Sequence, residues 1–261
     1  MSGRDSDMFV RVPDFPAPHA FTTREGGVSA APFATANLGA SVGDEPEAVL
    51  ENRTRILAAF GSTLVDTAFV HQVHGNTVVN GEEARGDRAG ALQADALICN
   101  DPRITLAVSM ADCLPLLVWD EANRAVAAVH AGWRGVVAGV VEATLTAMQA
   151  NFGSQPQQLH FAIGPHIRQA AYQVGEDVRE AFEGAGFPAS VLTVDSDKAG
   201  HYRLSVEAAV RIVLERSGVP ATSIASGGWC TASEPERFFS HRRDRGATGR
   251  HWALVRAPGP A

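Results

Sequence analysis

The sequence predicts an α+β fold of layered character, and three observations carry that expectation. Apolar runs of strand length come in groups, with helical periodicity between the groups rather than after every strand. The stretch 94–135 alone holds three such runs, 104–110, 114–119 and 125–129. Hydrophobic residues make up 45% of 261 residues, which is enough for a substantial core, and no repeat, low-complexity linker or shift of composition divides the chain. One domain over 17–257 is expected, with 1–16 a loose lead-in and 258–261 a frayed tail.

In chain order, HAFTTREGGVSAAPF reads as a strand entering a glycine-rich turn that carries Arg24. The segment 44–60 is a strong helix: Asp44 can cap it, Pro46 suits its first turn, Glu47 stands three residues after the cap, and Gly61 can end it. Val49, Arg53, Ile56, Leu57 and Phe60 share one face, which is expected to be buried. Strands at 67–73 and 76–80 flank His74-Gly75, and a polar, glycine-rich loop follows at 81–90. After the three central runs comes a helix from about 135 to 152, marked by Val137, Val140, Val141, Leu145, Met148 and Phe152. LHFAIGP is a short strand stopped by Gly-Pro. Helices at 176–183 and 205–217 precede three last strands at 223–230, 237–241 and 251–255.

A formal charge of −7 and no long basic stripe argue against a nucleic-acid binder. The single basic cluster, 241–245, is broken by Asp244 and reads as a solvated strand end. The amino terminus lacks the apolar core of a signal peptide, and no run is long enough to span a membrane. Three cysteines, Cys99, Cys113 and Cys230, are too few for a disulfide scaffold, so a cytoplasmic protein is expected.

The chemistry concentrates at strand edges. Cys113 and His130 stand just past two of the central runs, and His74 follows an earlier one. A thiolate with two imidazoles is a transition-metal ligand set, and gaps of 39 and 17 residues exclude a zinc finger or ribbon. Three ligands leave a position for water or substrate, the mark of a catalytic metal. His71 reads as a surface residue. HAGWRG leads into a helix, whose free N–H groups with Arg134 suit phosphate; the alternative is a tight glycine turn with Arg134 in solvent.

At these residues the sequence resembles a known family. QVHG (72–75), ADCLPL (111–116), HAGWRG (130–135), IGP (163–165) with YQVG (172–175), and FFSHRRDRGATGR (238–250) are similar to the YfiH family. That family is also called the multicopper polyphenol oxidase or laccase-domain family and is described as purine nucleoside phosphorylases. FTTREGGVS, NLG and VGDEPEAVLENR extend the resemblance over nearly the whole chain. It implies a single layered α/β/β/α domain with zinc on His74, Cys113 and His130. It also implies phosphorolysis of adenosine, inosine and methylthioadenosine, with adenosine deamination beside it. The chain departs from many members at His166, Ala170-Ala171 and Ser233, where they carry cysteine.

Phosphorolysis needs charge stabilised on both the attacking phosphate and the departing purine. Arg134 is the first candidate to hold phosphate, with Arg24 and Arg245 behind it, and Asp112 is the nearest carboxylate to move protons. The deaminase motifs HxE and PCxxC do not occur. Three rivals stand: a copper-dependent phenol oxidase, a hydrolase editing a cell-wall precursor, and a non-enzymatic metal-binding module. None of the nine histidines forms an HxH pair of the kind multicopper oxidases use, although a lone His-Cys-His site can still hold copper.

Overall fold

The structure is a computed structural model in which residues 7–259 are described. The strands and helices are β1 (Phe9–Val10), β2 (His19–Thr22), α1 (Pro46–Phe60), β3 (Thr67–Ala68), β4 (Val78–Asn80), β5 (Ala96–Cys99) and β6 (Thr105–Met110). Then come β7 (Leu114–Asp120), β8 (Ala125–Ala131), α2 (Trp133–Val137), α3 (Val140–Phe152), β9 (Leu159–Ile163), β10 (Gln173–Val174) and α4 (Glu176–Gly184). The last are β11 (Leu192–Val194), β12 (Tyr202–Leu204), α5 (Val206–Arg216), β13 (Ile224–Ser226) and β14 (His251–Arg256).

They build two large sheets and one small one. The first runs β1-β2-β14-β6-β3, the second β13-β9-β7-β8-β5-β4, and a three-stranded ribbon runs β10-β12-β11. The two-residue period of the strands decides the layering. Leu116 and Val118 of β7 join Val141 and Leu145 of α3 and Val210 of α5 in one core. Leu117 and Trp119, on the opposite face, join Phe21, Leu106 and Val255 of the first sheet in a second core. Ala107, Trp252 and Leu254 turn outward from the first sheet onto Ile56 and Leu57 of α1. The order is therefore α1, first sheet, second sheet, then α2–α5. Covered on both faces, every residue of β7 and β8 is buried, which is why both read as unbroken apolar runs.

Several elements differ from their sequence reading. Helix α1 starts at Pro46 with Glu45 at the cap position; the Asp44 carboxylate instead accepts from Ser29 Oγ (2.6 Å) and Asn37 Nδ2 (2.9 Å). Gly61 ends it in the left-handed conformation, as expected. The expected strand 67–73 stops after Ala68. Beyond it the backbone bonds to the 81–94 loop, Phe69 N–H to Ala84 O and His71 N–H to Leu92 O. The helix expected over 135–152 is two helices, because Gly139 adopts φ 85° and turns the chain between α2 and α3. The strand expected at 237–241 is a turn: Phe238 N–H goes to Glu234 O and Phe239 N–H to His251 Nε2, so no ladder forms. The lead-in is anchored from Phe9, since β1 pairs with β2 and Phe9, Val10, Val12 and Phe15 are buried. At the other end Arg124 donates to the carbonyls of Pro258 and Gly259.

Two crossings between the sheets matter for function. The turn 111–113 carries the chain from β6 of the first sheet to β7 of the second. The loop 69–77 does the same between β3 and β4.

Candidate functional site

The three expected ligands meet at this seam. The ligand atoms of His74, Cys113 and His130 all lie within 4.8 Å of one another, and among the described residues this is the one His/Cys/Asp/Glu group able to hold an ion. His130 is buried near the end of β8, so it lies on the strand rather than past it. Cys113 is partly exposed on the β6–β7 turn, and His74 is exposed on the loop before β4. The two imidazole rings stand 4.9 Å apart, centroid to centroid, at 69°.

Asp95, which the sequence reading missed, organises two of the three. Its Oδ1 lies 2.8 Å from His130 Nδ1, which leaves Nε2 to face the site. The same buried carboxylate accepts the N–H groups of Val73 (3.2 Å), His74 (2.9 Å) and Gly75 (2.6 Å). His74 has φ 59°, an uncommon conformation for a residue with a side chain, and these successive bonds hold it there. An acid at the head of an apolar strand, ADALIC, was the available signal. Gln72 fixes the loop from the other side: its amide exchanges two bonds with the backbone of Ser109, at 2.7 and 2.6 Å, where β3 has already ended.

Asp112 has φ 91° and is pinned at three points. Its Oδ1 accepts from Thr231 Oγ1 (2.6 Å), its Oδ2 from Arg242 N–H (2.6 Å), and its carbonyl from Ile167 N–H (2.9 Å). These bonds aim Cys113 at the site. Both carboxylate oxygens are thus engaged in holding the turn.

Electrostatics favour a metal. Burial pushes the Cys113 thiol up, but His130 and His74 outweigh it and bring it down to about 6. Burial pushes His130 down, but Cys113 and Asp95 outweigh it and bring it up to about 9. Without an ion the cluster is thus a thiolate beside an imidazolium, and a cation can take the place of the proton. Gly132 leaves the room. A Cβ there would fall 2.8 Å from His74 Nδ1 and 3.1 Å from Cys113 Sγ. The sulfur–imidazole donor set of His74, Cys113 and His130 fits zinc or copper.

The ligands open into a cleft of about 750 Å³. Four arginines line it, Arg53, Arg134, Arg242 and Arg250. Arg134 alone of the expected phosphate residues is there, exposed and stacked on Trp133 with 4.4 Å from guanidinium carbon to ring centroid. Helix α2 has only five residues before the Gly139 turn, so its start offers phosphate little of a dipole and the expected helix-start site is not formed. Arg24 lies outside the cleft, donating to Ala34 O (2.9 Å) and Pro235 O (2.7 Å) and stacking on Phe239. Arg245 is exposed and also outside it. The basic cluster is not a solvated strand end. Arg242 enters the cleft over Tyr172, and Arg243 is tied to Asp244 and to the carbonyls of Thr231 and Phe238. His71 is exposed on the cleft wall, and Tyr172 also lines the cleft, its phenol pushed up by burial and by Cys113.

Comparison with known proteins places this architecture in a family. Residues 18–257 match the family described as multi-copper polyphenol oxidoreductase laccase. A purine nucleoside phosphorylase of Deinococcus radiodurans is 40% identical over 95% of this chain and 92% of that one. The purine nucleoside phosphorylase YfiH of Escherichia coli is 39% identical over 94% and 97%. Among solved structures, YlmD of Geobacillus stearothermophilus superposes with a TM-score of 0.87 at 31% identity, covering 97% of this chain and all of that one. A protein of Neisseria meningitidis does so at 0.86 and 37%, covering 97% of this chain and all of that one. The fold and site define a layered α/β/β/α protein with a His-Cys-His group that could hold a metal ion. The chain belongs to the YfiH family, the multi-copper polyphenol oxidoreductase laccase group.

Proposed function

We propose that the chain is a metal-dependent purine nucleoside phosphorylase. It cleaves adenosine, inosine and methylthioadenosine with phosphate to the free base and ribose-1-phosphate, and deaminates adenosine as a side activity. The observation that carries this reading is a cleft in which a thiolate–diimidazole centre adjoins four arginines without an ion-pair partner among the described residues. The names of the curated relatives, purine nucleoside phosphorylases, support the phosphorylase part of it.

His74, Cys113 and His130 would hold zinc, which when bound supplies a Lewis acid at the cleft floor. The arginines do the rest of the electrostatic work. Arg53 donates Nε and Nη2 to Leu38 O (2.9 and 2.7 Å) and lies against the contacting rings of Phe69 and Trp252, leaving Nη1 free. Arg250 donates only Nη1, to Thr248 and Gly249 carbonyls (3.0 Å each), and crosses Gly39 beside Leu38. Burial holds both guanidiniums below the ordinary arginine range, and for Arg250 the opposing influences come from Cys113 and Asp112. An inorganic phosphate bound by this pair relieves that cost and stands near the metal centre, positioned to attack C1′ while the purine departs.

The test is a metal-analysed protein incubated with adenosine, with and without phosphate, following adenine, ribose-1-phosphate and inosine. Adenine that forms only with phosphate is expected. Absence of nucleoside turnover, with phenol oxidation rising with bound copper, would establish the oxidase instead. The family description and a donor set that copper(II) also accepts favour that second reading.

A further inference from the structure

The cleft holds more uncompensated positive charge than one phosphate uses. The chain has 29 acids against 22 lysines and arginines, so carboxylates are in surplus. Eight arginines, Arg55, Arg103, Arg168, Arg179, Arg203, Arg211, Arg237 and Arg243, each make an ion pair, while several outside the cleft, Arg85, Arg88, Arg124 and Arg245 among them, make none among the described residues; what sets Arg53, Arg134, Arg242 and Arg250 apart is that they gather in one cleft. Among the described residues none of these four makes an ion pair, and the adjacent Asp112 carboxylate is already taken by Thr231 and a backbone N–H.

These four divide by layer. Arg53 and Arg250 belong to the first-sheet side, one on α1 and one just before β14, and flank Leu38-Gly39 together. Arg134 and Arg242 belong to the second-sheet side. Arg134 stands at the start of α2 on Trp133, and Arg242 lies over the Tyr172 ring, 5.1 Å from its centroid, and donates to Gln173 O at the start of β10. Both arginines act on Tyr172, opposing the upward shift of its phenol. Their flat faces are covered by aromatic rings while most of their N–H edges stay open to the cleft, the arrangement that suits bidentate capture of phosphate.

We propose that the cleft has two anion subsites, one on each sheet's side of the metal centre, and that the Arg134/Arg242 pair receives a phosphate carried by the nucleoside itself, so that nucleoside 5′-monophosphates are ligands of this protein. The inference rests on the phosphorylase reading, which gives the Arg53/Arg250 pair to inorganic phosphate at C1′. The remaining ribose hydroxymethyl is the end of the substrate free to carry a second phosphate toward the outer pair. Two separate cation pairs then serve two separate anions, rather than four cations competing for one.

Titration calorimetry on the metal-loaded full chain tests this with adenosine and adenosine 5′-monophosphate as probes. The monophosphate is expected to bind about tenfold or more tightly than adenosine at low salt. It should keep that advantage in saturating inorganic phosphate. Arg242→Gln and, independently, Arg134→Gln should each reduce the ratio of the two affinities by about tenfold. Equal affinities, displacement of the monophosphate by inorganic phosphate, or an unchanged ratio in both variants overturns the proposal. The phosphorylase reading fails differently, by absence of phosphate-dependent adenine release from adenosine.

Discussion

His130 Nδ1 and Asp95 Oδ1 lie 2.8 Å apart, and through that one carboxylate the orientation of His130 is coupled to the backbone that presents His74. Burial raises the Asp95 carboxyl, but His130 and the loop N–H groups outweigh it and hold it below the usual range. Asp95→Asn keeps the shape and removes the charge. Zinc affinity measured by chelator competition should fall about 10–100-fold. An unchanged affinity would show that the carboxylate does nothing for the ion.

Gly132 is required by the space it leaves empty, not by its backbone, since its φ of −69° suits any residue. Gly132→Ala puts a methyl against two of the three donors, 2.8 Å from His74 Nδ1 and 3.1 Å from Cys113 Sγ. The variant should fold with an unaltered circular dichroism spectrum yet bind much less than one equivalent of zinc. His130→Ala should lose both metal and turnover. Full metal occupancy in either variant contradicts the assigned site.

The Cys113 thiol, drawn down to about 6, should ionise well below the ordinary thiol range in metal-free protein. Thiolate absorbance in the ultraviolet is expected to rise with a midpoint near pH 6 and to be absent from Cys113→Ser. Because the metal needs the thiolate, zinc affinity should weaken as pH falls through that value. A midpoint above 8 would mean that the neighbouring imidazoles do not act on the sulfur.

His251 is fully buried, accepts Phe239 N–H through Nε2, and is pushed by burial down to about 3. An unfolded chain protonates this ring near pH 6.5 and the folded chain does not, so its stabilisation is complete above 6.5 and is lost as pH falls toward 3. Between pH 7 and 5 the loss from His251 is about 2 kcal/mol. Buried His19 and His166 are shifted in the same direction and add to it. Urea denaturation at the two pH values should show a drop about 2 kcal/mol smaller in His251→Gln than in the parent. Parallel drops would exclude His251 as a contributor.

Arg250→Gln removes one of the two guanidiniums assigned to inorganic phosphate. The KM for phosphate should rise by about tenfold or more, and the KM for adenosine by much less. Equal rises in both would assign Arg250 to the nucleoside.

That His74, Cys113 and His130 belong together was legible in the sequence because donor chemistry is a property of residue type, and the structure brings their ligand atoms within 4.8 Å of one another. The strands and helices of the core were legible for a similar reason, since β7, β8 and α1 write their burial directly into their periodicity. What the chain could not reveal alone is which distant groups those residues meet. Asp95 is one acid among 29 until β5 pairs with β8 and brings its carboxylate against His130. Arg53 is read only as part of the buried face of its helix until the contacting rings of Phe69 and Trp252 come to lie against its guanidinium beside the cleft. Arg24, which the sequence nominated for phosphate, is spent on the carbonyls of Ala34 and Pro235. Periodicity and ligand chemistry are local and travel with the residue; hydrogen-bond partners, uncompensated charge and the cleft itself arise from segments tens to hundreds of residues apart, and only the packing of two sheets across their seam decides them.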